Sequence, residues 1–260
     1  MSEQSQDSCV SIVQITDCHL QPQPSDRYRG CYPDARLDRV IQNIRQINVR
    51  EGRFDHLVLS GDIAQSGAQQ AYQRVLDKTL DIALQRHWIP GNHDDKQCMS
   101  AYAAMQQKVV LESDWAMVLL DSTSHPDGVG SGSLSASELD FLSTIDQLDA
   151  KHILLFMHHP PIEVGSLWQD EIKLANSDVF WQQLKTLNKV RAISFGHLHQ
   201  ELHLIKQGIE LFCTPATAPQ FKARQNKPEI EDDVELAKAA FRILNLHSDG
   251  SITTQVIRVD

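Results

Sequence analysis

Five times along this chain an apolar run ends and an Asp, Asn or His comes within two residues. VSIVQIT is followed by Asp17 and His19, HLVLS by Gly61 and Asp62, and RHWIP by Gly91, Asn92, His93 and Asp94. HILLFM is followed by His158 and His159, and VRAISF by Gly196, His197 and His199. Short apolar runs bounded by turn formers predict buried strands, here near Val10 to Ile15, His56 to Leu59, Met117 to Leu120, Ile153 to Met157 and Val190 to Phe195. In sheets wound with helices, ligands bind outside the carboxyl ends of the strands. The five strand ends are therefore expected to deliver their polar groups to one rim of one sheet.

Segments of helical period separate the runs. Leu37, Val40, Ile41, Ile44 and Ile47 fall on a single stripe. Ser135 with Glu138 three residues on reads as the N-cap of a helix that includes Leu139, Leu142 and Ile145. The alternation implies an α/β fold. Towards the C-terminus, Glu201 to Ile205 and Ile209 to Thr214 flank Gln207-Gly208, and Phe241 to Leu246 and Ser251 to Val259 flank Ser248-Asp249-Gly250; both read as antiparallel hairpins. Residues 222–236 are charged, contain Pro228 and show no apolar stripe, so a surface excursion is expected there. With no repeat and no low-complexity linker, 1–260 reads as one domain.

Taken singly, an Asp at a strand end is a turn former or helix cap. Recurrence at five strand ends calls for chemistry. Asp, Asn and His offer oxygen and imidazole donors suited to borderline divalent metals such as Mn, Fe, Zn or Co. They are more than one metal requires, and two metals a few ångströms apart suit phosphoryl transfer. The five cysteines lack CxxC spacing, which argues against a thiolate site and for a reducing compartment. A net charge of -10 repels a polyanion, so a nucleic-acid polymer is not an expected partner. The polar N-terminus, MSEQSQDSCV, has no targeting pattern, and no run is long enough to cross a membrane, which together predict a cytoplasmic protein. His56, His87, His125, His152, His203 and His247 read as surface or structural histidines, and Cys18 as a core residue.

In order along the chain, DxH, GD, GNH[D/E], H and GHxH resemble the pattern of the calcineurin-like metallophosphoesterases, spanning Asp17 to His199. QITDCHL, GDIAQSG, WIPGNHD, LLDS, HHPP, FGHLHQEL and TPATAPQFK together are similar to the bacterial class III cyclic nucleotide phosphodiesterases. The resemblance implies a four-layer α/β/β/α sandwich of two facing mixed sheets flanked by helices. It implies two divalent or mixed-valence metal ions, one held by Asp17, His19, Asp62 and His199, the other by Asp62, Asn92, His158 and His197. The family pattern favours His158 over His159 as the ligand. His93 would be catalytic with Asp94 orienting it, and His19, Asn92, His93 and His199 would face the substrate phosphate.

The implied activity is hydrolysis of 3′,5′-cyclic AMP to 5′-AMP by a metal-bound hydroxide. The alternative is a broader phosphodiesterase or phosphatase acting on another small phosphate ester. Gly30, Trp168, Asn176 and Gln220 are expected to line the pocket beyond the metals.

Overall fold

The computed structural model describes residues 9–125 and 128–260. Residues 1–8, which hold most of the polar stretch MSEQSQDSCV, lie outside them.

In chain order the strands are β1 (Val10–Ile15), β2 (Phe54–Ser60), β3 (Ala83–Ile89), β4 (Val109–Glu112), β5 (Trp115–Leu119), β6 (His152–Phe156), β7 (Val190–Phe195), β8 (Leu202–Lys206), β9 (Ile209–Cys213), β10 (Ala239–Leu246) and β11 (Ile252–Val259). The helices are α1 (Pro33–Glu51), α2 (Gln69–Lys78), α3 (Lys96–Ser100), α4 (Ala136–Leu142), α5 (Leu167–Glu171) and α6 (Ser177–Leu184). The strands form two sheets, ordered β11-β10-β1-β2-β3 and β4-β5-β6-β7-β9-β8. β1, β2 and β3 run parallel, as do β5, β6, β7 and β9, and the remaining strands pair antiparallel at the sheet margins.

Three apolar layers account for the stacking. The stripe Leu37, Val40, Ile41 and Ile44 on α1 packs with Val13, Ile15, Leu57 and Leu59 on one face of the first sheet. Leu142 of α4 and Phe180, Trp181 and Leu184 of α6 pack with Ala116, Val118, Leu155 and Ile193 on one face of the second. The opposite faces meet through Ile12, Val58, Ile89, Met117, Phe156, Phe212 and Leu244. Because successive strand side chains point to opposite faces, β1 sends Val10 and Ile12 between the sheets and Val13 and Ile15 towards the helices. The order is helix, sheet, sheet, helix.

Local signals set the boundaries. Pro33 opens α1 with its φ already helical, and Gly52 at φ 96° closes it. The Ser135 side chain accepts from Glu138 N at the start of α4. Glu138 does not complete a capping box; its carboxylate accepts from Asp121 N and Lys108 Nζ. Both expected hairpins form, but β9 continues the second sheet beside β7 while β10 pairs with β1 in the first. This corrects the expectation of one rim on one sheet. The strand ends lie on two facing sheets, β1, β2 and β3 on one and β6 and β7 on the other. Strands buried on both faces carry no pattern that says which sheet they join.

Candidate metal centre

The turns after β1, β2 and β7 are sharp and left-handed. Asp17 (φ 52°), His19 (φ 47°), Asp62 (φ 51°), His197 (φ 70°) and His199 (φ 53°) all have positive φ. For a residue with a Cβ that conformation costs roughly 1–2 kcal/mol. Backbone hydrogen bonds between the loops hold it in place. Asp17 N donates to Gly61 O at 3.0 Å and His19 N to Asp62 O at 2.9 Å, while Thr217 N and Ala218 N donate to Thr16 O and Asp17 O, both at 3.1 Å. Two glycines let the loops approach. A Cβ on Gly61 would lie 2.4 Å from His158 Nδ1, and one on Gly91 would lie 2.2 Å from Asp62 Oδ1.

This backbone gathers the side chains. Asp17 Oδ2 accepts from Thr16 Oγ1 and His197 N, which leaves the buried Oδ1 with no hydrogen-bond partner among the described residues. Oδ1 faces His199 Nε2 at 3.4 Å and His19 and His158 Nε2 at 4.0 Å. Asp62 Oδ1 accepts from His93 N, and Asp62 Oδ2 lies 3.4 Å from His158 Nε2 and 3.7 Å from His19 Nε2. His197 Nδ1 is 3.2 Å from His158 Nε2. Asn92 Oδ1 and His197 Nε2 are buried without a partner among the described residues.

The imidazole tautomers are set by their outer partners. His19 Nδ1 meets Gln65 Oε1 at 2.8 Å, His158 Nδ1 meets Ser60 O at 2.9 Å, and His199 Nδ1 meets Pro219 O at 2.6 Å. An amide or carbonyl oxygen only accepts, so each Nδ1 carries the proton. Nε2 is therefore the atom that each ring turns inward, bare once the ring is neutral. His19 and His199 Nε2 stand 3.1 Å apart, two lone pairs facing each other beside unpartnered Asp17 Oδ1. Only cations satisfy such a set, and outer-shell carbonyls on inward-facing imidazoles are the usual dress of a metal site. Asp17, His19 and His199 form one cluster of donor atoms, and Asp17, Asp62 and His158 another, each with its atoms within 4.8 Å of one another.

The electrostatics agree. Against burial, which would lower it, the Asp62 and Asp17 carboxylates push His158 up to about 9. Burial pushes His19 down to about 3. Despite desolvation by burial, Asp62 lies well below the usual carboxylate range, because His158 and His19 outweigh that penalty. These groups depend on charge balance within the cluster, and metal binding would replace the proton on His158.

Among the sequence-derived residues, the structure brings together Asp17, His19, Asp62, His158, His197 and His199, with His93 beside them. The His93 ring stands edge-on to His19 with centroids 5.0 Å apart. His158 and not His159 pairs with the carboxylates; His159 Nδ1 is 2.8 Å from Ser122 Oγ, and His159, its Nε2 without a hydrogen-bond partner among the described residues, lies in a donor cluster with His158 and His197. The expected support of His93 by Asp94 needs correction. The Asp94 carboxylate accepts from Ile63 N, Ala64 N, Gly91 N and Tyr72 Oη, so it ties the β2 and β3 turns together instead of orienting the imidazole. Those four donors fill the Asp94 carboxylate, and His93 is tied through its backbone N–H to Asp62.

Two pocket residues are likewise committed elsewhere. The Asn176 carboxamide bonds to Leu134 N and O, and Gln220 to Ala216 N and O and Lys238 O. Trp168 stands one layer out, edge-on to Phe221, which packs on His199. Gly30 sits in a turn beside the centre. Gln65, Ser122 and Tyr28 were not singled out from sequence, and nothing in their local pattern distinguishes them from loop residues. Among the described residues no helix is long and apolar enough to cross a membrane.

Residues 10–201 match the family model described as calcineurin-like phosphoesterase. The chain is 32% identical over 265 residues to the 3′,5′-cyclic adenosine monophosphate phosphodiesterase CpdA of Vibrio vulnificus, covering 99% of this chain and 93% of the relative. It is 33% identical to CpdA of Escherichia coli strain K12, covering 96% and 90%, and 30% identical to a 3′,5′-cyclic-nucleotide phosphodiesterase of Nostoc, covering 96% and 92%. Its fold is similar to a dimetal phosphatase of Danio rerio, with TM-score 0.68 at 14% identity over 96% of this chain and 99% of the other. A donor array of buried carboxylates and inward-facing imidazoles, the helix–sheet–sheet–helix stacking and these likenesses agree: the chain belongs to the calcineurin-like phosphoesterase family.

Proposed function

We propose that this metal-dependent phosphodiesterase hydrolyses the 3′,5′-cyclic phosphodiester of cAMP to 5′-AMP at a dinuclear centre. The observation that carries the reading is the position of Asp62, whose Oδ2 faces His19 on one side and His158 on the other. A carboxylate so placed can serve two cations. Asp17, His19 and His199 would complete the first set, and Asn92, His158 and His197 the second. The full-length likeness to relatives named as cyclic-nucleotide phosphodiesterases supports the substrate class. When bound, two divalent cations polarise a phosphoryl oxygen and make a water molecule acidic enough to attack at neutral pH.

The residues of the chain supply the rest. His93, whose backbone N–H donates to Asp62 and whose ring stands edge-on to His19, would stabilise the transition-state phosphoryl oxygen or protonate the departing 3′ oxygen. Water adds at phosphorus, the P–O3′ bond breaks, and a proton goes to O3′. Asp94 and Tyr72 fix the turn that carries Asn92 and His93. The Nδ1–H bonds of His19, His158 and His199 leave Nε2 as the inward atom that would meet a cation.

A second reading, a diesterase tolerant of its ester groups, is favoured by one observation: the carboxamides of Asn176 and Gln220 are engaged with backbone and not free to read a base. The test is hydrolysis of 3′,5′-cAMP by Mn²⁺-loaded protein beside bis-p-nitrophenyl phosphate. Conversion to 5′-AMP that chelation abolishes is expected. Turnover of the generic diester alone would leave the dinuclear chemistry and remove cAMP as substrate.

A further inference from the structure

We propose that Arg29 recognises the nucleobase of the substrate by laying its guanidinium plane against the base at the rim of the metal centre; this rests on the cyclic-nucleotide reading. Residues 28–31 form a tight turn closed by reciprocal Tyr28–Cys31 backbone bonds, both 3.0 Å. Its two central residues, Arg29 and Gly30, have φ of 44° and 88°. Turns of this hand favour Asn-Gly, so backbone preference does not explain the arginine.

The turn overhangs the centre. The Tyr28 ring stacks on the His19 imidazole, with centroids 4.4 Å apart and planes 10° from parallel. The Arg29 guanidinium lies 5.0 Å from the centroid of Phe221, whose ring is 4.8 Å from that of His199. Arg29 Nε donates to Tyr28 Oη at 3.3 Å. Two aromatic side chains, each backed by a different histidine of the site, thus hold one cation.

Phe221 is buried while Arg29 is exposed, so the guanidinium, with the Phe221 and Tyr28 rings 5.0 and 5.6 Å from it, is still reached from solvent. Among the described residues no carboxylate pairs with Arg29, in a chain whose net charge is -10. A planar, weakly hydrated guanidinium stacks on aromatic faces and on nucleobases in a way an ammonium does not. A phosphate held at His19 and His199 leaves its base one sugar ring farther out. Arg29 lies one aromatic side chain beyond those histidines, with Tyr28 against His19 and Phe221 against His199.

The test compares kcat/KM for 3′,5′-cAMP with that for the 3′,5′-cyclic phosphate of 1-deoxyribose, which has no base, in wild type, Arg29→Ala and Arg29→Lys. The preference for cAMP over the baseless ester is expected to fall about tenfold in Arg29→Ala, through KM and not kcat, as for loss of one stacking partner. Arg29→Lys should fall nearly as far, because the charge remains and the plane is lost. A wild-type preference retained in Arg29→Ala would overturn the proposal alone. Full preference in Arg29→Lys would overturn it in favour of attraction between charges. A wild type that turns over neither ester would remove the cyclic-nucleotide reading, and the proposal with it.

Discussion

His56 of β2 and His87 of β3 face each other in the interior, both 1% exposed, with His56 Nδ1 3.1 Å from His87 Nε2. Two neutral rings share one proton across that gap. His56 Nε2 and His87 Nδ1 then have no hydrogen-bond partner among the described residues; the nearest charge, Glu112 Oε2, is 3.8 Å from His56 Nε2. Burial pushes His87 from 6.5 down to about 4 and lowers His56 as well. An unfolded chain takes up protons on both as pH falls through 6.5, whereas folded His87 resists until about 4. The unfolded state therefore binds more protons in that window, and stability falls on acidification. Linkage for His87 alone gives a loss of about 2 kcal/mol between pH 7 and pH 5, and about 3 kcal/mol by pH 4. His56 adds to it in the same direction.

The perturbation is the double substitution His56→Leu/His87→Leu, close in volume and free of unpaired nitrogens. Urea unfolding of wild type and variant, at saturating Mn²⁺ and across that pH range, measures the difference in slope. The variant is expected to be no less stable than wild type at pH 7, since replacing both partners of a poorly satisfied polar pair with apolar groups is close to neutral or favourable. It should then lose at least about 2 kcal/mol less than wild type on going to pH 5. Histidines of the metal centre titrate alike in both proteins and cancel. Parallel loss of stability in the two proteins would refute the reasoning.

Other outcomes concern the centre itself. Asn92→Ala removes a buried oxygen expected to face the second cation, and should lower turnover by about 100-fold or more with the fold retained by circular dichroism; unchanged turnover would sink the two-metal assignment. Gln65→Leu removes the acceptor that holds the proton on His19 Nδ1, and should weaken metal affinity by roughly 10- to 100-fold in a chelator competition. Gly91→Ala drives a methyl into Asp62, and should cost about 1–3 kcal/mol in urea unfolding along with loss of metal. Asp94→Leu leaves Ile63, Ala64 and Gly91 N–H groups and Tyr72 Oη without their acceptor, and should destabilise by several kcal/mol with activity lost in proportion; a stable but inactive variant would return Asp94 to a direct chemical role.

The sequence determined where the strands end and which polar residues stand at each end. It also determined the helical stripe on α1, the Ser135 cap and both hairpins, because these depend on spacing within a dozen residues. The same local reading brought out Asp17, His19, Asp62, Asn92, the pair His158 and His159, His197 and His199 as candidate donors. Tertiary structure decided what local spacing cannot carry. Strands apolar on both faces do not announce their neighbours, so periodicity left the split into two sheets to the family resemblance, and the strand pairing bears it out. His158 and His159 are equivalent in sequence, and the contact of His158 Nδ1 with Ser60 O, across two sheets, separates them. The inward lone pairs of His19 and His199 are set by Gln65 and Pro219, and Asp94 by the turn after β2. Arg29 lies over Phe221 only because loops far apart in the chain meet at the rim. Hydrogen-bond partners and packing neighbours are long-range facts, and the residues that orient a site are legible only once the chain has brought them together.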